Sequence, residues 1–412
     1  MGTIASGISK LLTFKKQTGL GVQATAPAGQ NLRRTMSTLD KKKATYASKE
    51  IRPSQQRADF RHGVVMVDGT ISGELSVGTY QAFTESICRQ LSLAPVSVSG
   101  LLDIVAASTG TNTGTLTTTA GSFMNGSNKF KIGYVIRCTG FTTTATANNS
   151  ANMIITAMTD KVLTVARLDG AAIVAKTETG SVTIAMPGKY TYVAQSGQTR
   201  DYYTIEHNFV DIAQSELFTD CVVTQVDIKL PASGMAAIDF IMKGLNMTPS
   251  QGTGYFTAPS AVTSGSVLAA ANGVVYIGAN PVALITGANI SIKGNHSMIG
   301  GVVGSNAEPD IFPGDVVVDG QFTVLFQDNV IRDIFLQETE VAVYLAFTTN
   351  NTPTADFISY IMPRVKLGGA MKDDGEKGLV MTMPFTALEN VAGGPGVSSL
   401  PTTIAIQDSQ FV

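Results

Sequence analysis

Three histidines, His62, His207 and His296, and three cysteines, Cys88, Cys138 and Cys221, are the residues with most scope for chemistry in this chain. The histidines are scattered. None stands three or four residues from another ligand on a helix, so metal-site spacing is absent. Glu206 and His207 are neighbours on a strand-like stretch, which points them to opposite faces and argues against a local acid–base pair. The cysteines are odd in number and lack C-x-x-C spacing, which suggests neither a disulfide framework nor a zinc site. They read as buried thiols made in a reducing compartment. The glycine-rich stretches at 110–121 and 393–396 have no following helix and no phosphate-binding lysine. The run from Lys372 to Lys377 contains Asp373, Asp374 and Glu376 but lacks the spacing and closing glutamate of a calcium loop. It reads as a charged turn. The expectation is a protein without catalytic centre, cofactor or metal.

The elements explain more than the polar residues do. Residues 62–87, HGVVMVDGTISGELSVGTYQAFTESI, predict a long strand, a turn at Val77-Gly78 and a short helix. Val65, Val67, Ile71, Gly73 and Leu75 alternate, and the break near Gly69 marks a bulge or a close backbone approach. Tyr80, Phe83, Ile87 and Leu91 form one helical stripe. A second copy, PGDVVVDGQFTVLFQDNVIRDIFLQE, occupies 313–338 without a gap. It sets Val67-Asp68-Gly69 on Val318-Asp319-Gly320 and Phe83 on Ile334. Downstream, VDIKL at 226–230 falls on PRVKL at 363–367, so the unit is used twice.

The two copies diverge after the helix. The second passes from Gln337 to a strand at about Val341, an ordinary short connection. In the first, a Thr-, Ser- and Gly-rich stretch with short strand signals intervenes, which reads as an inserted small β-barrel or Ig-like domain. The expected organisation is an N-terminal arm or loop at 1–50, a first unit at 51–94 and 188–250, and the insertion at 95–187. A linker at 251–285, a second unit at 286–389 and a C-terminal arm at 390–412 complete it. The fold class is mainly β: tandem β-sandwich units, each with one flanking helix, plus the inserted domain.

Only 15% of the 412 residues are charged, against ~25% in an ordinary globular domain. So sparse a surface suggests coverage by copies of the same chain. A net charge of −2 excludes the basic balance of a protein that grips nucleic acid. No apolar run of membrane-spanning length occurs. The M-G-x-x-x-S start is a short match to an acylation signal, and its lysines follow the apolar part, unlike those of a signal peptide.

Several stretches resemble one family, the major tail tube proteins of long-tailed, non-contractile bacteriophages. They are EIRPSQQRADFRHG (50–63), GTISGELSVGTYQAF (69–83), YTIEHNFVDIAQSELFTDC (203–221) and VGSNAEPDIF (303–312). ADFISYIMPRVKLGGAMKDDGEKGLV (355–380) and TTIAIQDS (402–409) extend the resemblance over nearly the whole chain. It implies a virion tail protein, made in the host cytoplasm, that stacks as rings around a lumen. The implied partners are further copies, a tape-measure protein, transiting double-stranded DNA, a tail terminator, and distal tail or baseplate proteins. Two tube folds per chain in a ring of six such folds would give a trimer with pseudo-sixfold symmetry.

On this reading Asp68, Glu74, Glu206 and Asp211 are candidates for the lumen face, where negative charge repels phosphates. Arg52, Arg57, Asp59, Arg61, Lys372, Asp373, Asp374 and Glu376 are candidates for contacts between rings. The rival readings are another β-rich tail or baseplate ring component and, from a different class, a secreted carbohydrate-binding adhesin. The absence of Trp, a common sugar-stacking residue, weighs against the adhesin.

Overall fold

A computed structural model describes residues 4–125, 129–231, 233–269, 272–278, 280–282, 285–327, 330–373 and 378–412. The chain opens with β1 (Lys10–Lys16), β2 (Gln30–Asn31), β3 (Met36–Ser37), β4 (Asp40–Ala47), β5 (Phe60–Glu74) and α1 (Gln81–Cys88). Eight short strands come next. They are β6 (Ser97–Leu101), β7 (Val105–Ser108), β8 (Thr113–Thr117), β9 (Val135–Thr139), β10 (Met153–Met158), β11 (Val162–Arg167), β12 (Lys176–Thr177) and β13 (Val182–Ala185). After these stand β14 (Lys189–Tyr192), β15 (Tyr203–Phe209), β16 (Gln214–Pro231), β17 (Ala237–Gly244) and β18 (Asn246–Gln251). The remainder begins with β19 (Gly273–Ile277), β20 (Asn280–Pro281), β21 (Ile285–Lys293), β22 (Val317–Leu325) and α2 (Val330–Leu336). It ends with β23 (Val341–Thr348), β24 (Phe357–Leu367), β25 (Met371–Lys372), β26 (Val380–Ala387) and β27 (Ala405–Asp408).

The fold is mainly β, with two β-sandwich units, a helix on each, and a separate small sheet built from the insertion. Alternating apolar residues on the wall strands and the outer strands meet in one continuous core. Val67 and Ile71 enter it from β5, Tyr203 and Ile205 from β15, Val318 and Phe322 from β22, and Val343 and Leu345 from β23. Tyr80, just before α1, and Phe83 and Ile87 within it face this core, but Leu91 is exposed. The helix stops short of it because Arg89 adopts a left-handed conformation, φ 56°, and the N–H groups of Arg89 and Gln90 cap the Ser86 and Glu85 carbonyls. That is an ordinary helix stop with an unusual residue in the glycine position.

The two units match ladder by ladder. β15 pairs with β16 from Tyr203↔Cys221 to Phe209↔Gln214, with an irregularity between Tyr203 and Ile205. β23 pairs with β24 from Val341↔Val365, with the same irregularity between Val341 and Val343. A second break, between Val223 and Gln225 in the β16–β17 ladder, recurs around Gly368 between the β24–β26 and β25–β26 ladders. The breaks let one long strand turn a corner and serve both layers of its sandwich. They also correct the VDIKL–PRVKL match. Lys366 and Leu367 face Thr386 and Phe385, the counterparts of Lys243 and Met242, whose partners are Val222 and Val223.

Three segments expected to lie outside the units belong to them. The sequence predicts an arm over residues 1–50, yet β1 pairs along its whole length with β15 and buries Leu12 and Phe14. The expected linker supplies β19, which pairs with β23 in the equivalent place. The expected C-terminal arm supplies β27, fully buried between β14 and β24. Short strands that pair only with distant residues leave little periodic signal, so they read as loops.

The inserted sheet has its own apolar core, but that core continues onto the second unit. Tyr276, Tyr344, Phe357, Ile361, Leu400 and Ala405 close it. Gln407 donates to the Val135 carbonyl and accepts from the Val135 N–H, at 2.9 and 3.0 Å. Asn152 donates to the Ala355 carbonyl at 2.7 Å, and Lys131 to the carbonyls of Gly394 and Val397. The insertion is bolted to the outer layer.

Candidate functional site

Both units build an extended surface, the outward face of the wall layer, ordered β4–β5–β17–β16–β21–β22–β26 by backbone pairing. Strand alternation buries one side and leaves a polar row on the other. That row is Asp68, Thr70, Ser72 and Glu74 on β5, Asp239 and Lys243 on β17, and Asp227 and Lys229 on β16. It continues as Asn289, Ser291 and Lys293 on β21 and Asp319, Gln321 and Thr323 on β22.

The repeated Asp-Gly holds this wall in register. A Cβ on Gly69 would lie 2.5 Å from the Thr38 carbonyl oxygen, and one on Gly320 would lie 2.2 Å from the Asn289 carbonyl oxygen. The adjoining side chains act alike. Thr38 Oγ1 accepts the Thr70 N–H at 2.9 Å, and Asn289 Oδ1 accepts the Gln321 N–H at 2.8 Å. Only glycine admits so close an approach, which explains the motif in both copies. The close backbone approach expected at Gly69 is therefore present twice.

Carboxylates on the wall are largely neutralised by lysines. Lys42 contacts Asp68 in the first unit, and Lys293 contacts Asp319 at 2.8 Å in the second, at equivalent positions. Lys229 meets Asp239 at 2.7 Å. Burial alone would push the Asp239 carboxyl up, but Lys229 and Ser72 hold it below its ordinary value. Asp227 accepts from Ser291 at 2.5 Å across the seam between the units, and from Gln225 on its own strand at 2.8 Å. Charges of both signs are interspersed on the face, with five carboxylates in the row against the lysines Lys42, Lys229, Lys243 and Lys293.

The structure separates the four residues expected together on a lumen face. Asp68 and Glu74 lie on the wall row. Asp211 is in the turn after β15 and accepts the Ser6 N–H at 2.5 Å. Glu206 is 1% exposed, and its carboxylate accepts the backbone N–H groups of Tyr255 and Phe256. By the matching ladders it occupies the place of Tyr344, against which the inserted sheet packs. Glu206 therefore faces the outer side and lines no wall. Alternation separates the two faces of a strand without saying what covers each. Sequence reading missed Asp239, Asp319, Lys229 and Lys293; the matched Asp68 and Asp319 were the signal for one pair.

The residues expected between rings are in two places. Arg52, Arg57, Asp59 and Arg61 sit on or beside the exposed loop that joins β4 to β5. Their ion pairs, Arg52–Glu50 at 3.0 Å and Arg61–Asp59 at 2.9 Å, are local and solvent-exposed. Exposed pairs of this kind contribute ~0–1 kcal/mol. Lys372 sits 3.5 Å from the centre of the Phe326 ring, and Asp373 is exposed. Asp374 and Glu376 lie outside the described residues.

His207 and His296 pack into the fold, and His62 is exposed near the start of β5. His207 is buried beside Ser37 and Glu216, and burial lowers its pKa. His296 is lowered to about 4 by burial and by Arg89, Lys243 and Arg200 nearby. Burial also raises the thiols of Cys88 and Cys138 to about 12. None of these buried groups faces the wall.

A two-unit β-wall with one polar face and an apolar core behind it defines a structural protein. Residues 7–394 match the phage tail tube protein family, and the chain belongs to that family. It is a component of the virion tail and self-assembles into a tube with other tail components. No curated protein matches the chain. No helix of the described residues is long and apolar enough to cross a membrane.

Proposed function

We propose that this chain forms the tail tube of a long-tailed, non-contractile phage by stacking as rings, and that the tube conducts double-stranded DNA from capsid to host. The observation that supports this reading is the two-faced wall: both units contribute to a single polar surface backed by a single core. Its row of interspersed charges gives phosphates neither strong attraction nor a block of free lysines, which suits a polymer that must pass and not bind. Two units per chain make three chains per ring the symmetric closure.

The loop between β4 and β5, with Arg52, Arg57, Asp59 and Arg61, is placed to reach a neighbouring ring, as is Asp373. The tape-measure protein occupies the lumen before DNA does, and a terminator and distal tail proteins cap the ends. The sheet of residues 97–185 lies outside the wall. Negative-stain microscopy of the purified chain tests the reading. Stacked tubes are expected; isolated rings that never stack indicate a baseplate-type component, and compact monomers at every concentration overturn it.

A further inference from the structure

In the first unit the end of β5 is sealed by a segment that leads into the second. Residues 264–269 cross the β5–α1 turn on their way to β19. The Leu75 N–H donates to the Ala236 carbonyl at 2.8 Å, and Leu268 bridges the same two residues. Its N–H donates to the Leu75 carbonyl at 2.8 Å, and its carbonyl accepts the Ala236 N–H at 2.9 Å. Beside it Val267 pairs with Ser76 in an antiparallel bridge. Leu75, Ala236 and Leu268 are all at most 2% exposed. A Cβ on Gly265 would lie 2.0 Å from the Val77 carbonyl oxygen, so the segment passes where only glycine fits.

The second unit repeats the seat without the plug. Phe322 faces Met383 as Ile71 faces Phe240, which sets Phe326 on Leu75 and Leu379 on Ala236. The Phe326 N–H donates to the Leu379 carbonyl at 2.8 Å, the counterpart of the Leu75–Ala236 bond. Among the described residues, no backbone group donates to the Phe326 carbonyl or accepts the Leu379 N–H. Leu379 is 40% exposed.

The plug has a counterpart in the sequence. β1 and β19 are equivalent strands, Leu12 facing His207 as Val275 faces Leu345. Counting back from them without a gap sets Gly2-Thr3-Ile4-Ala5-Ser6 on Gly265-Ser266-Val267-Leu268-Ala269. Glycine falls on glycine and Ile4 on Val267. The side chains compensate in volume: a small Ala5 replaces Leu268 where the larger Phe326 and Leu379 replace Leu75 and Ala236. In the single chain Ile4 and Ile8 are 88% and 96% exposed.

Within the chain, the plug of one unit comes from the unit after it. After the second unit comes the first unit of another copy. We propose that residues 2–6 of one copy cross to the next and plug the open seat there, with Ala5 bridging Phe326 and Leu379 and Ile4 beside Gln327. The proposal rests on the tube reading above and adds to it an exchange of N-terminal segments between copies. The crossing replaces the bond that the Ser6 N–H makes to Asp211 of its own chain at 2.5 Å.

Co-assembly of two single variants tests the exchange. Ile4 and Gln327 stand where Val267 and Ser76 pair, and facing residues on paired strands have Cβ atoms ~4.5–5.5 Å apart, near the reach of a disulfide. The native cysteines are all buried and do not compete. Oxidised tubes made from a mixture of Ile4→Cys chains and Gln327→Cys chains are expected to yield linked pairs of chains on a non-reducing gel, absent from tubes of either variant alone. Ile8→Cys in place of Ile4→Cys is expected to link at least tenfold less. Ile4→Asp changes an exposed residue of the single chain. It is expected to raise the concentration needed for tubes at least tenfold and to leave the melting temperature of the unassembled chain unchanged. Mixed tubes without linked pairs, equal linking by Ile8→Cys, or native-like assembly of Ile4→Asp overturns the exchange and leaves the tube reading standing. A native chain that forms no tubes overturns the tube reading, and the exchange with it.

Discussion

Single residues carry the duplication more plainly than whole elements do. Gly69 and Gly320 are each pressed against a carbonyl of the neighbouring strand. Gly69→Ala and Gly320→Ala are expected to destabilise the fold by similar amounts, ~1–3 kcal/mol each, read by chemical denaturation. A cost at one and none at the other would separate the two positions. Asp408 carries a pH dependence instead. Burial raises its carboxyl to about 7, Asp356 adds to this, and the N–H groups of Gly78 and Gln410 oppose it at 2.8 Å each. The folded value lies above the unfolded one, so its stabilising contribution is full below about pH 4 and is lost as pH rises towards 7. Asp408→Asn is expected to abolish that loss, so its melting temperature relative to the native chain rises from pH 4.5 to pH 8. Parallel curves would show that Asp408 does not titrate in this window.

At the scale of elements, the β5–α1 and β22–α2 units were legible because long alternating strands and an apolar helical stripe leave a periodic signal. The strands at the ends of each unit were not. β1 was hidden by its brevity and β27 by the Gly, Pro and Ser residues before it, and both gain their place from partners far away in sequence. The distinction has a measurable consequence. Removal of residues 1–17 takes away β1 and the side chains of Leu12 and Phe14, and is expected to abolish cooperative unfolding. Trimming a free arm would leave it intact. The insertion was legible from its composition, but its attachment was not. Nothing in 95–187 announces that Gly133, at φ 92°, packs against Ile361 and Tyr344. Gly133→Val is expected to cost at least ~2 kcal/mol by forcing the two sheets apart, and an unchanged melting temperature would argue for a loosely tethered domain.

The whole molecule is two wall units that share one core, with a polar face on the wall and, among the described residues, two edges without a pairing strand. Arg89 ties them where they meet, donating from the end of α1 to the Gly294 and Gly314 carbonyls at 2.9 and 2.7 Å. The last residue reaches back to the first unit, with Val412 and Gln81 exchanging hydrogen bonds at 3.0 and 3.1 Å. Such ties join the two units into one double segment, which in the proposed tube fills two quasi-equivalent places in the ring wall. Acidic residues legible in the sequence were assigned to one face, and Glu206 shows that sheet position and not charge decides which of them reach the wall. The most direct measurement is an image reconstruction of the assembled tube. Three chains per ring are expected, with Asp227, Asp239 and Asp319 facing the lumen and residues 97–185 on the outside. Six chains per ring, or a lumen lined by the face that carries Glu206 and Tyr344, would contradict the wall described here.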